Sequence, residues 1–294
     1  MYWNWRIPLA GVMAATFVLL VACSAEPGPA GPLGPAGPPG PLGPVGPAGE
    51  DATANLEYIG SEKCGDCHEE EYDRFMLSGH PYKLSKIENG EPPLFPYDAI
   101  TGGLSDPPEG YTWDDVSYVI GGYGWKARFI DQRGYIITGD ENATTEYNYA
   151  NDFVDKGAEW VAYHAGEEKV FDCGSCHTTG YRPEGHQDDL EGIIGTWEFP
   201  GIQCEECHGP GNRHAADPYG ALMKIDRSAQ LCGNCHVRGN PAQIDGQDGF
   251  EHHHQQYEDL FNSKHFATSC VACHDPHAST LFADEEINPN KGII

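Results

Sequence analysis

The sequence predicts a mainly α but irregular fold, with short helices, long loops and one small β-hairpin near residues 116–138. Three observations lead there. Five copies of Cys-x-x-Cys-His punctuate the chain, and each needs only one helical turn. From about Leu56 the composition becomes globular, so roughly 240 residues must serve all five motifs. A run of β-branched and aromatic residues between Val116 and Thr138 differs in pattern from everything around it.

The motifs are Cys64, Cys67 and His68; Cys173, Cys176 and His177; Cys204, Cys207 and His208; Cys232, Cys235 and His236; and Cys270, Cys273 and His274. Thiols at i and i+3 lie on one side of a helical turn, where each can form a thioether to a haem vinyl group. The next residue turns its imidazole to the iron. The pattern predicts five covalently bound c-type haems. Zinc or disulfides would also use paired cysteines, but neither requires a His after the second one. Of 11 cysteines, only Cys23 lies outside the motifs. At about 48 residues per haem, stacked porphyrins form much of the core, and haem loss should unfold the domain.

The first residues read as an export signal. Arg6 is followed by an apolar run of 16 residues, Ile7 to Ala22, short for a membrane-spanning helix. Leu20-Val21-Ala22-Cys23 resembles the bacterial lipobox, so residues 1–22 are predicted to be a signal peptide and Cys23 a lipidated first residue. Ser24 stands where an Asp holds known lipoproteins at the inner membrane, which points to the outer membrane. Residues 23–55 then form an anchor and stalk. Eight consecutive Gly-x-y triplets run from Gly28, with Pro second in seven of them. The period is that of collagen, where only Gly fits the three-chain axis. One reading is a polyproline-II stalk on a single chain, reaching about 75 Å at ~3.1 Å per residue. The other is a collagen-like homotrimer.

Residues 56–294 form the predicted pentahaem domain, with an insert at about 91–165. Within it, Val116–Ile120 and Trp125–Ile130, followed by Gln132–Gly134 and Tyr135–Thr138, read as a β-hairpin on a small mixed subdomain. No catalytic motif falls there, and no catalytic residue is assigned. A formal charge of −28 excludes nucleic acid as a partner and suits an exported protein. The same charge would steer a basic redox partner.

Nine histidines lie outside the motifs, and five of them would complete bis-histidine ligation. Reach limits the pairings. His277 follows His274 by three residues, which span at most ~10 Å, less than the ~12 Å across a ligated iron. It must serve another haem. A helix over Glu69–Leu77 carries His80 about 18 Å from His68, so His80 too should reach a different haem. A helix over Glu251–Lys264 would place His254 and His265 on one face, each towards a neighbouring haem. His80, His214, His254, His265 and His277 are the predicted distal ligands. His164 and His186 are reserves, and His252 and His253 read as surface residues.

Tyr58–Cys64 through Ser78-Gly79-His80, Gly201–Gly211 with His214, and Cys273-His274-Asp275-Pro276-His277 resemble the cytochrome c-554-like multihaem family. In that family a helix after the first motif ends in a His that ligates a different haem. The resemblance implies electron transfer through closely packed haems, with redox partner proteins or an extracellular acceptor. Extracellular cytochrome filaments use related modules, so a filament subunit is a compatible reading. The alternative is an oxidoreductase acting on a small nitrogen or sulfur oxyanion at an open haem. Pentahaem nitrite reductases mark such a haem with Cys-x-x-Cys-Lys, which this chain lacks.

Overall fold

The computed structural model describes residues 56–97, 103–150, 157–237 and 256–282. The predicted signal, Cys23, the Gly-x-y stalk, and His252, His253 and His254 lie outside them. All described residues fall in one unit, Asp51–Ile294.

The described helices are short. They are α1 (Ser61–Gly65), α2 (Glu69–Met76), α3 (Gly174–His177), α4 (Cys204–His208), α5 (Asn212–Ala216), α6 (Ala229–Gly233) and α7 (Gln256–Asn262). Helix α2 is the longest. Glu69, Glu70 and Glu71 in its first turn and Arg74 in its last complement the helix dipole. Arg74 also forms an ion pair with Asp275, tying the first motif's helix to the fifth motif. Helix α7 stops at Asn262, where Ser263 folds its amide and hydroxyl back to Leu260 O. His265 therefore lies beyond the helix, and the expected helical face from 254 to 265 does not form.

The expectation of a mainly α fold is not confirmed, because the small hairpin grows into a seven-stranded antiparallel sheet. Its strands are β1 (Leu84–Lys86), β2 (Val116–Gly121), β3 (Lys126–Asp131), β4 (Tyr135–Ile136), β5 (Glu146–Asn148), β6 (Glu159–Val161) and β7 (Lys169–Val170). The order runs β1-β2-β3-β4-β7, with β5 pairing β3 and β6 pairing β5. The predicted hairpin is its centre, with Val119 opposite Phe129 and Ile120 opposite Arg128. Asp131 closes the next turn, its Oδ1 accepting from the amides of Arg133 and Tyr135, both at 2.9 Å. The sheet reaches beyond the expected insert at both ends, to Leu84 and Val170. A second, two-stranded ribbon pairs β8 (Thr178–Thr179) with β9 (Phe199–Pro200).

Strand alternation gives the large sheet two apolar faces. Leu84, Tyr118, Ile120, Ile130 and Ile136 pack with Phe171, Ile193 and Trp197. Val116, Val119, Ala127, Phe129 and Ile137 pack on the other side with Trp113, Tyr147 and Trp160. Val119, Phe129 and Ile130 are fully buried. Each such side chain contributes about 1.5–3 kcal/mol of transfer free energy. A third cluster, Phe95, Tyr97 and Tyr123, receives Leu281 and Phe282 from beyond the last motif.

The other half is built differently. Among the described residues from 204 onwards, the only buried hydrophobics are Ala229 and Ala278. Tyr219, Leu222, Ile225 and Phe266 are exposed. A segment this poor in protein core fits a domain whose apolar mass comes from porphyrins.

Candidate haem sites

Each motif forms the local turn its chemistry needs. The amides of His68, His236 and His274 donate to the carbonyls of Cys64, Cys232 and Cys270 at 3.0, 2.9 and 3.0 Å. That α-type closure sets two thiols and one imidazole around a single turn. All ten motif cysteines are free thiols, and none is fully buried. Among the described residues, which include all ten, no group of three or more His, Cys, Asp or Glu could hold a metal ion directly. The donor set therefore does not fit a four-cysteine zinc centre and does fit thioether attachment of haem.

The imidazoles carry the second part of that fit. An iron between two imidazoles needs two metal–nitrogen bonds of roughly 2 Å, which sets the ring centroids about 6 Å apart. Three motif histidines have a second ring at this spacing. His68 faces His214 at 6.2 Å, His236 faces His80 at 6.3 Å, and His208 faces His277 at 6.1 Å. His80 and His277 thus sit against rings other than those of their neighbouring motifs. The structure brings together His80, His214 and His277 of the five predicted distal ligands. His254 lies outside the described residues, and His265 is exposed with its amide on Ser263 Oγ at 3.0 Å. His177 and His274 face no second histidine ring among the described residues. His164 pairs with Glu167 at 2.8 Å, and the exposed His186 donates to Ile193 O at 2.6 Å.

Backbone carbonyls orient several of these rings. Nδ1 of His177 donates to Lys83 O at 2.8 Å, that of His208 to Lys224 O at 2.9 Å, and that of His214 to Ala221 O at 2.9 Å. A carbonyl accepts only from Nδ1–H, so Nε2 is left with its lone pair for a metal. Burial holds His80 down to about 3, with Lys83, His236 and His277 adding to the effect. Burial likewise lowers His177 to about 4, against the opposing hydrogen bond to Lys83 O. Both rings are neutral at physiological pH, as ligation requires.

The motifs form one connected group. Helix α1 packs on α4, and the Cys64 thiol beside Cys204 holds the Cys204 thiol below its ordinary range. Cys176 Sγ lies 3.7 Å from Asn234 O and Cys235 Sγ lies 3.9 Å from Ser175 O, joining the second and fourth motifs. Helix α6 packs on the turn Cys270–Ala272, joining the fourth and fifth.

Sequence reasoning missed Glu205, a motif spacer residue. It is 1% exposed. Its carboxylate accepts from the amides of Ile59 at 2.9 and 3.0 Å, Gly60 at 2.8 Å and Gly211 at 2.7 Å. It thereby clamps the approach to the first motif onto the third. Gly60 takes φ +84°, a value favourable only to glycine, which lets its amide approach Glu205 beneath Phe199. A glutamate between two motif cysteines gives no such signal in sequence.

Residues 141–209 match the family described as cytochrome c554 and c-prime. The match spans the second and third motifs and includes the 201–209 stretch that carried part of the resemblance. It bears out the resemblance to multihaem c-type cytochromes, and with it c-type haem and electron transfer as a class. A comparison with curated proteins gives no match. Among solved structures, the chain is similar to the outer cell wall cytochrome OcwA, at 22% identity over 62% of this chain and TM-score 0.41. It is similar to an undecaheme cytochrome from the S-layer of Carboxydothermus ferrireducens, at 21% identity over 81% and TM-score 0.48. It is also similar to the octaheme sulfite reductase of Wolinella succinogenes, at 16% identity over 82% and TM-score 0.47. The matched part spans 38%, 41% and 47% of those three chains, less than half of each. Likeness at these levels says nothing of activity.

Proposed function

We propose that this chain is a pentahaem electron-transfer protein, held at the outer membrane by lipid on Cys23 and passing electrons to redox partner proteins or an extracellular acceptor. One observation carries the reading: three histidine pairs at 6.1–6.3 Å, drawn from remote parts of the chain, lie within a connected group of motifs. When bound, c-type haem supplies a one-electron iron couple. The residues do the rest. The cysteines would hold each porphyrin by thioethers, and His68 with His214, His236 with His80, and His208 with His277 would hold three of the irons and leave them no open place for a substrate. The backbone carbonyls of Lys83, Ala221 and Lys224 fix ring tautomers, and the short contacts between motifs keep the sites within tunnelling reach. The stalk sets this group away from the lipid, on one chain or as a homotrimer, and filament assembly is compatible with the same sites.

Intact mass of the denatured protein tests the count, with five haem masses expected above the polypeptide. Low-temperature EPR tests the ligation, with low-spin ferric iron expected at the sites of His68, His208 and His236. High-spin iron at any of the three would overturn the assignment of that pair.

A second reading, an oxidoreductase for a small nitrogen or sulfur oxyanion, is favoured by the surroundings of His177. Arg128 and Lys83 bring positive charge to this ring. Arg128 lies 3.8 Å from the Tyr163 ring centre and pairs with the buried Glu146. Nitrite, hydroxylamine and sulfite turnover with a reduced dye tests it. Turnover abolished by Arg128→Ala, with haem content unchanged, would favour it over the carrier.

A further inference from the structure

The structure assigns residues 217–226 as a strap that positions the axial imidazoles of two different haem sites at once. This inference rests on the electron-transfer reading above. The strap follows α5 and has no regular structure beyond a turn. Ala221 O accepts from His214 Nδ1, and Lys224 O accepts from His208 Nδ1, both at 2.9 Å. His214 faces His68 of the first motif, while His208 is the histidine of the third. Two carbonyls three residues apart therefore orient one imidazole in each of two sites.

The strap holds its own shape. Asp217 Oδ1 accepts from Gly220 N at 3.0 Å, and Asp217 O accepts from Ala221 N at 3.0 Å. At its far end Asp226 accepts from Ser228 N at 2.9 Å and pairs with Lys224 at 3.1 Å. A Cβ at Gly220 would stand 2.1 Å from Asp217 Oδ2, so any side chain there displaces the Asp217 carboxylate from the turn. Tyr219, Leu222 and Ile225 are 95%, 82% and 70% exposed on the same ten residues.

The functional consequence is coupled tuning. A carbonyl on Nδ1–H makes the imidazole a stronger base towards the metal and favours the ferric state. Because one strap carries both acceptors, its displacement weakens both together, and the two potentials rise as a pair.

The test is a potentiometric titration of the haem-loaded full chain, resolved by EPR of the low-spin signals. Gly220→Val pushes the Asp217 carboxylate out of the turn, Asp217→Ala removes that acceptor, and Glu109→Ala changes an exposed side chain that makes none of the strap's contacts. The expected result is an upward shift of two haems together in Gly220→Val, a smaller paired shift in Asp217→Ala, and none in Glu109→Ala. If Gly220→Val does not load haem fully, Asp217→Ala decides alone. A shift of one haem only, or of none, at full haem content overturns the strap. Absence of low-spin bis-histidine iron in the unaltered protein overturns the electron-transfer reading as well, so the two failures are distinguishable.

Discussion

Replacing Glu205 with Ala should be among the most damaging single changes available outside the motif residues themselves. The carboxylate is buried and accepts from three backbone amides, those of Ile59, Gly60 and Gly211. Alanine leaves all three donors without this acceptor. A buried donor stranded in this way costs about 1–3 kcal/mol, and partial hydration of the gap favours the lower end. Three donors then give a loss of about 3–6 kcal/mol, against a total stability of ~5–15 kcal/mol for an ordinary domain. Glu205→Gln keeps one acceptor oxygen but turns an amide group towards the remaining donors, so it should lose roughly half as much. The assay is guanidinium unfolding of the haem-loaded protein, followed by the Soret band and at equal haem content. The first motif should also loosen before the rest, because the amides at 59 and 60 sit just ahead of α1. A midpoint for Glu205→Ala within about 1 kcal/mol of the parent would refute the clamp.

Other outcomes follow from the same geometry. His80→Ala should create high-spin iron at the site of His236 and leave that of His68 low-spin, and assigned EPR or NMR spectra would show the reverse if the pairing is wrong. Cys23→Ser should move the protein from the membrane fraction to the soluble one, and retention after a salt wash would count against lipidation. Lowering the pH from 5 to 2 should loosen residues 224–228. The Ser228 hydrogen bonds, with Lys224 adding to them, hold Asp226 at about 2. A depressed carboxylate contributes stability that is full above the ordinary value near 4 and lost as pH falls through 2. Hydrogen exchange at Ser228 that stays flat across this window would contradict it. A chain beginning at Ser24 should sediment as a trimer in the cold if the triplets form a collagen-like helix. A monomer unaffected by Gly37→Ala would leave them a spacer.

The haem chemistry was legible because it is local. Two cysteines and a histidine within five residues define a site wherever the chain goes, and the reach limit on His277 needs only bond lengths. The β2–β3 hairpin was legible for a similar reason, since alternation is written within each strand. The rest of the sheet was not. Strands β1, β5, β6 and β7 are two or three residues long, too short for a period, and exist because longer strands offer them an edge. The end of α7 was misplaced because helical residues around 262–265 carry no strong stop signal, while Ser263 caps the helix through contacts that appear only once it folds. Glu205 and the carbonyls of Ala221 and Lys224 were invisible for a deeper reason. A carbonyl is the same at every position, and only the tertiary path decides which one an imidazole meets.

The histidine pairs also impose an order of events on a chain made and threaded from its N-terminus. His68 meets His214 and His80 meets His236, each across roughly 150 residues, so the closing entropy is large and the contact forms late. The first motif to emerge is therefore completed by a segment that emerges long after it, and so is the site of His236. Until then a haem attached at the first motif would be held by His68 without His214, and a stray thiol, amine or imidazole could take the place of the missing imidazole. The large sheet lies between these two ends and owes its core to side chains alone. It can fold while the flanking motifs wait, acting as a jig that holds Lys83 and its neighbours ready for the later residues. Truncation before residue 214 should on this account give a folded sheet carrying misligated haem, and not an unfolded chain.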